Sequence, residues 1–118
     1  MLMWGDRLLD AAALHYSEWE ASQNHTEAAV DLLPKDIIIC DWHYEKRDSY
    51  PSVPFLQGKG FPVWPSGWQP LEAALAFSEY SLRHQPRPLG YLCTTWGKVK
   101  IADAATWPPL VDTLKQWR

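Results

Sequence analysis

The sequence has no apolar run near the ~18–20 residues that a membrane-spanning helix needs. Its first ten residues, already charged at Asp6 and Arg7, carry no basic segment ahead of an apolar stretch. Both absences predict a cytoplasmic protein with no membrane partner. Cysteine is scarce: Cys40 and Cys93 both fall in apolar stretches, the pattern of two buried thiols rather than a disulfide or a metal site. No spacing of His, Cys, Asp and Glu suggests metal ligands, and no metal or cofactor is expected. The 11 basic residues are scattered and the net charge is -3, which argues against nucleic acid as a partner. Neither G-x-G-x-x-G nor G-x-x-x-x-G-K follows any apolar segment, and G-x-S-x-G is missing. Asn24-His25-Thr26 fits a glycosylation sequon, which means little without a secretion signal.

What is present is a repeated pattern of short apolar segment, polar turn and helix, read as one domain over residues 1–118. Leu2-Met3-Trp4 reads as a first strand. Leu9, Ala12, Ala13, Tyr16 and Trp19 follow at spacings of three and four, one stripe of a helix of roughly four turns. Asn24 or Thr26 can cap a second helix, which Pro34 stops. Ile37-Ile38-Ile39-Cys40 is apolar throughout, as a central parallel strand would be. Ser52 can cap a short helix over residues 53–57, and residues 61–64 form a strand made irregular by Pro62. Residues 70–83 form a helix with Leu71, Ala74, Leu75, Ser78 and Leu82 on one face. Residues 89–96 read as the fourth strand, and Thr106 caps a last helix with Pro108 in its first turn. The predicted class is α/β, four parallel βα units. An open sheet and a piece of a closed barrel both satisfy it, but the missing phosphate loop removes the usual nucleotide-binding reason for an open sheet.

Ligands of parallel α/β folds bind where strands run into helices. The first exit offers Trp4 and Asp6. The second offers Asp41, Trp42, His43 and Tyr44, the third Trp64 and Trp68, the fourth Thr94, Thr95 and Trp96. Every exit carries a tryptophan, and five of the eight tryptophans lie there rather than in helix stripes. Flat aromatic walls with a few carboxylates suit a sugar, whose C–H face is apolar and whose rim is polar. The other reading is that these indoles close the end of the fold and pack under loops. Asp6 and Asp41 are candidate hydroxyl contacts or, equally, caps and partners of Arg7 or Arg47. His43, between two aromatics, reads as a structural hydrogen-bonding residue.

The segments Met3-Trp4-Gly5-Asp6, residues 34–44 (Pro-Lys-Asp-Ile-Ile-Ile-Cys-Asp-Trp-His-Tyr), Tyr50-Pro51-Ser52 with Gly58-Lys59-Gly60-Phe61, and Thr94-Thr95-Trp96 resemble family 20 glycoside hydrolases, enzymes of the β-N-acetylhexosaminidase type. The resemblance spans residues 1–97 and implies the last four units of a TIM-type (β/α)8 barrel, half of the whole. It implies that Trp4, Trp42, Tyr44 and Trp96 wall a pocket for an N-acetyl sugar, with Asp6 and Asp41 as hydroxyl or positioning contacts; Trp64 is added from its strand exit. The family's substrate-assisted mechanism needs an Asp-Glu pair on the fourth barrel strand, and this chain contains no Asp-Glu dipeptide. The resemblance therefore implies a sugar site without its catalytic acid, and the catalytic residues stay unknown.

A full barrel takes ~250 residues, so four strands cannot close on themselves. Their open edges and inner apolar face predict association. A homodimer is expected, the alternatives being a partner chain that supplies the other half, or a longer product of which this is a fragment. The alternative function is a non-catalytic interaction module whose dimer is its role.

Overall fold

The computed structural model describes residues 1–118. Four strands, β1 (Leu2–Trp4), β2 (Ile38–Trp42), β3 (Val63–Gly67) and β4 (Leu92–Cys93), form one all-parallel sheet in the order β1-β2-β3-β4. Between and after them lie α1 (Ala11–Leu14), α2 (Ser52–Gly58), α3 (Leu71–His84) and α4 (Pro108–Gln116), with 3₁₀ turns at Asp6–Leu8, Thr26–Asp31 and Ile101–Thr106. The predicted alternation of strand and helix is therefore present. No helix is long and apolar enough to cross a membrane.

Strand alternation sorts the side chains to two faces. Register pairs Met3 with Ile39 and Ile39 with Val63, and these residues pack with Leu56 of α2, Ala11 of α1 and Phe61 into the main core. Gly5 belongs to this face for a steric reason: a Cβ there would lie 2.6 Å from the Ile39 Cγ2. A second, aromatic core joins Tyr50, Val53 and Phe77, with Tyr91 of the β4 approach donating from its hydroxyl to the Ala74 carbonyl. α4 lies on α3, where the Trp117 indole donates to Ser78 Oγ at 2.7 Å.

The other face carries the row Trp4, Cys40 and Trp64, paired across three strands, with Leu2 and Ile38 before it and Trp42, Ser66 and Leu92 after it. Of these only Cys40 and Ser66 are buried, and no core cluster forms on this side. Leu2 is 53% exposed, and Leu2, Met3, Trp4, Cys40 and Leu92 line an apolar hollow of about 370 Å³. Parallel sheets are ordinarily covered on both sides; this one is covered on one.

Several predicted elements differ. The four-turn helix over residues 9–19 is a single turn, capped by the Asp10 carboxylate on the Ala12 and Ala13 amides and closed by His15 at φ 58. The chain then doubles back, with Ser22 N–H on the Leu9 carbonyl at 2.7 Å, while Arg7 donates to the carbonyls of Glu18, Trp19 and Ala21. Leu9 and Tyr16 of the expected stripe are buried, but Trp19 is 72% exposed. Thr26 spends its hydroxyl on the Arg7 carbonyl and not on capping. The fourth strand is two residues long; the expected span 89–96 includes positive φ at Gly90 (φ 130) and at Trp96 (φ 48), which a continuous strand does not accommodate. Thr106 ends a 3₁₀ turn, and Trp107 takes the cap position of α4.

Candidate functional site

All four strand tips contribute to one aromatic cluster. Trp4 from β1 stacks with Trp96 beyond β4, ring centroids 6.2 Å apart at 28°. Trp42, the last residue of β2, lies 4.9 Å from Tyr44, and Tyr44 meets Trp68 edge-on at 5.5 Å. Hydrogen bonds tie the rings together: Trp96 Nε1 donates to the Tyr44 hydroxyl at 2.8 Å, and that hydroxyl lies 3.2 Å from Thr94 Oγ1. Trp42 Nε1 donates to Asp6 Oδ1 at 3.4 Å, while Asp6 Oδ2 accepts from Arg7 Nε at 2.7 Å. Burial raises the Tyr44 phenol's pKa, against its hydrogen bonds with Thr94 and Trp96, so it stays neutral and donates to Thr94, whose own hydrogen goes to the Gly67 carbonyl. Trp4 is 42% and Trp96 57% exposed. Trp96 holds a left-handed backbone, rare for a bulky residue, and its ring contacts offset that strain.

Five of the seven candidate residues thus share this mouth: Trp4, Asp6, Trp42, Tyr44 and Trp96. Two do not join them. Trp64 shares the row of Trp4 and Cys40 on the uncovered face but makes no aromatic contact with the cluster, and its buried Nε1 has no partner. Asp41 is 1% exposed and faces the helix layer, so it contacts no ligand at the mouth. Its position between Trp42 and Cys40 dictates this, since successive strand residues point to opposite faces.

Behind the sheet Asp41 belongs to a sealed polar network that no local sequence pattern announces. Ser52 Oγ donates to Asp41 Oδ2 at 2.6 Å, which is where its hydroxyl goes in place of the expected helix cap. His43 Nε2 lies 2.9 Å from Ser52 Oγ, His43 Nδ1 lies 2.7 Å from Glu20 Oε1, and Tyr16 OH lies 3.0 Å from Ser52 Oγ. Arg47 closes the far side, donating to Glu20 Oε2 at 2.7 Å. Donor counting fixes the protonation. Ser52 has one hydrogen, given to Asp41, so Nε2 donates to Ser52 Oγ or to Asp41 Oδ1, which lies 3.3 Å away; Nδ1 faces the Glu20 carboxylate and donates too. His43 is an imidazolium. Burial alone would lower its pKa, but Asp41 and Glu20 outweigh burial and hold it at about 8. Burial acts to raise the pKa of Glu20, but His43 and Arg47 prevail and lower it.

Ser52, His43 and Glu20 stand in the order of a Ser–His–acid relay. The chemistry does not follow: Ser52 and His43 are 0% exposed and Glu20 4%, and a protonated His43 takes no proton from Ser52. The network is a structural clamp between the residue 16–22 loop, β2 and α2, in keeping with the expected structural role of His43. No group of His, Cys, Asp and Glu is arranged to hold a metal ion. Both thiols are free, and burial raises the pKa of Cys93 to about 11. Comparison of the chain with models of known protein families and with curated proteins finds no match in either.

Proposed function

We propose that this chain binds an N-acetylhexosamine-type sugar at the C-terminal mouth of its parallel sheet, as the last four units of a (β/α)8 barrel similar to those of family 20 glycoside hydrolases. The observation that carries the reading is the convergence of Trp4, Trp42, Tyr44 and Trp96 from distant stretches of chain into one aromatic cluster, with the Asp6 carboxylate held beside it by the Trp42 indole. The exposed faces of Trp4 and Trp96 offer an apolar surface to a ring's C–H groups. Asp6 and Tyr44 offer oxygen acceptors to its rim.

Binding is proposed without full catalysis. Asp6 is the only carboxylate tied into the mouth, and it is engaged by Arg7 and Trp42. That arrangement suits accepting hydroxyl protons, not delivering one to a leaving group. A missing general acid forfeits ~10²–10⁴-fold in rate. The test is a titration with N-acetylglucosamine followed by tryptophan fluorescence. A saturable change, abolished by Trp42→Ala, is expected; silence up to tens of millimolar overturns the reading. Brisk turnover of an aryl N-acetylglucosaminide would refute the missing-acid argument while leaving the site.

A second reading, favoured by the uncovered sheet face, is that a second copy of this chain covers it. Leu2, Trp4, Ile38, Cys40, Trp64 and Leu92 carry no charge, so the face can meet itself without like-charge repulsion. Two sets of four strands make eight, the number whose interior side chains alone fill a barrel.

A further inference from the structure

Trp19 lies outside the mouth and packs into neither core. It is 72% exposed, yet the residues after it, Glu20, Ala21 and Ser22, are 4%, 0% and 2% exposed. The loop carrying it is fixed before it by Tyr16, whose N–H bonds the Ala11 carbonyl and whose hydroxyl lies 3.0 Å from Ser52 Oγ, and after it by Glu20 and Ser22. Glu20 is anchored in the clamp beneath His43, and Ser22 N–H bonds the Leu9 carbonyl. Arg7 stitches its middle, donating to the Glu18 carbonyl at 3.1 Å and to the Trp19 and Ala21 carbonyls at 3.3 Å. A large apolar side chain is therefore held out into solvent by a backbone with little freedom to withdraw it. Pre-organised exposure of this kind reduces the ordering penalty of binding.

The indole lines a hollow of about 410 Å³ with Arg7, Glu18, Gln23 and Asn24. One aromatic wall and three polar side chains free to donate or accept, those of Glu18, Gln23 and Asn24, make a chemistry like that of the mouth. The two places are one ion pair apart. The guanidinium that holds the Trp19 carbonyl binds Asp6 Oδ2 through its Nε, and Asp6 Oδ1 takes the Trp42 indole.

We infer that the Trp19 hollow is a second sugar subsite, so that the ligand is an oligosaccharide lying from the Trp4–Trp96 mouth across the Asp6–Arg7 pair onto Trp19. The inference rests on the sugar reading of the mouth and extends it. Trp19 stacks on the distal ring, and Glu18, Gln23 and Asn24 meet its hydroxyls. Arg7 is a positioning residue, its donors already taken by the loop and by Asp6.

The test is calorimetric titration of the full chain with N-acetylglucosamine and its β-1,4-linked di-, tri- and tetramer. The proteins are the wild type, Trp19→Ala, Trp19→Phe and Trp42→Ala. Two linked contacts give the wild type an affinity that rises with length by at least ~10-fold. Trp19→Ala removes that rise and leaves the monosaccharide affinity unchanged, while Trp19→Phe keeps part of it. Trp19 is exposed, so near-ultraviolet circular dichroism of the clamp aromatics stays that of the wild type in both variants. Length-independent affinity in the wild type, or equal losses for monomer and tetramer in Trp19→Ala, overturns the second subsite and leaves the mouth standing. Silence with every sugar overturns the sugar reading itself and the subsite with it. Tetramer binding that survives Trp42→Ala but not Trp19→Ala supports the subsite alone.

Discussion

The clamp behind the sheet makes stability depend on pH in a direction that can be worked out beforehand. His43 has an ordinary pKa of 6.5 and is held at about 8 in the folded chain. The folded value lies above the unfolded one, so the folded state binds the proton more tightly. The resulting stability is fully present below pH 6.5 and is lost as pH rises through 8. A displacement of that size corresponds to about 2 kcal/mol. Against a total of ~5–15 kcal/mol for a small domain, that is a substantial share. In urea, with slopes of ~1–3 kcal/mol per molar, the unfolding midpoint should fall by about 1 M between pH 6 and pH 9. His15, His25 and His84 are all exposed, which leaves His43 as the buried imidazole. His43→Gln should flatten the profile. It also leaves Glu20 and Asp41 facing an uncharged group, a change of the kind that costs ~3–5 kcal/mol, so the variant will be much less stable throughout. A proton NMR titration of the wild-type imidazole needs no variant and should place its midpoint near pH 8. An imidazole that titrates below 6.5, or a midpoint in urea that holds steady or climbs from pH 6 to 9, would refute the donor-counting argument.

Two other outcomes follow from packing. Gly67 lies under the Tyr91 ring, and a Cβ there would sit 1.8 Å from the phenol oxygen. Gly67→Ala should therefore dislodge Tyr91 from the Ala74 carbonyl and destabilise the chain by ~1–3 kcal/mol, read by thermal or urea unfolding. If the uncovered face joins two copies, sedimentation should give a dimer at micromolar concentration, and Leu92→Lys, which puts a charge on that face, should give a monomer. A wild-type monomer across the same range would remove the second reading.

The parts of the fold that were legible were those where one local pattern served one end. Ile38 to Cys40 are apolar and mostly β-branched, and Leu71–His84 carries an unbroken stripe between prolines; both elements lie within a residue or two of expectation. The stripe of Leu9, Tyr16 and Trp19 misled because a loop satisfies the same spacing once Arg7 supplies partners for its carbonyls. The mouth was legible because its indoles sit at strand tips. The clamp was not, since Tyr16 and Ser52 are 36 residues apart and Glu20 and His43 are 23. One signal was there to be used. With Trp42 and Tyr44 assigned to the mouth, two-residue alternation already sends Asp41 and His43 backwards, where a carboxylate and an imidazole need each other.

Trp96 gives the rim of the mouth an unusual sensitivity. Its left-handed backbone costs about 1–2 kcal/mol relative to an ordinary one. Its stack on Trp4 and its bond to the Tyr44 hydroxyl return ~0.5–1.5 kcal/mol each. The opposing quantities nearly cancel. Rotation about one peptide would carry the indole away and free the Tyr44 oxygen at almost no net expense. The ring's resting place is thus decided by Trp4 and the Tyr44 hydroxyl, and the loss of either would leave the backbone strain uncompensated.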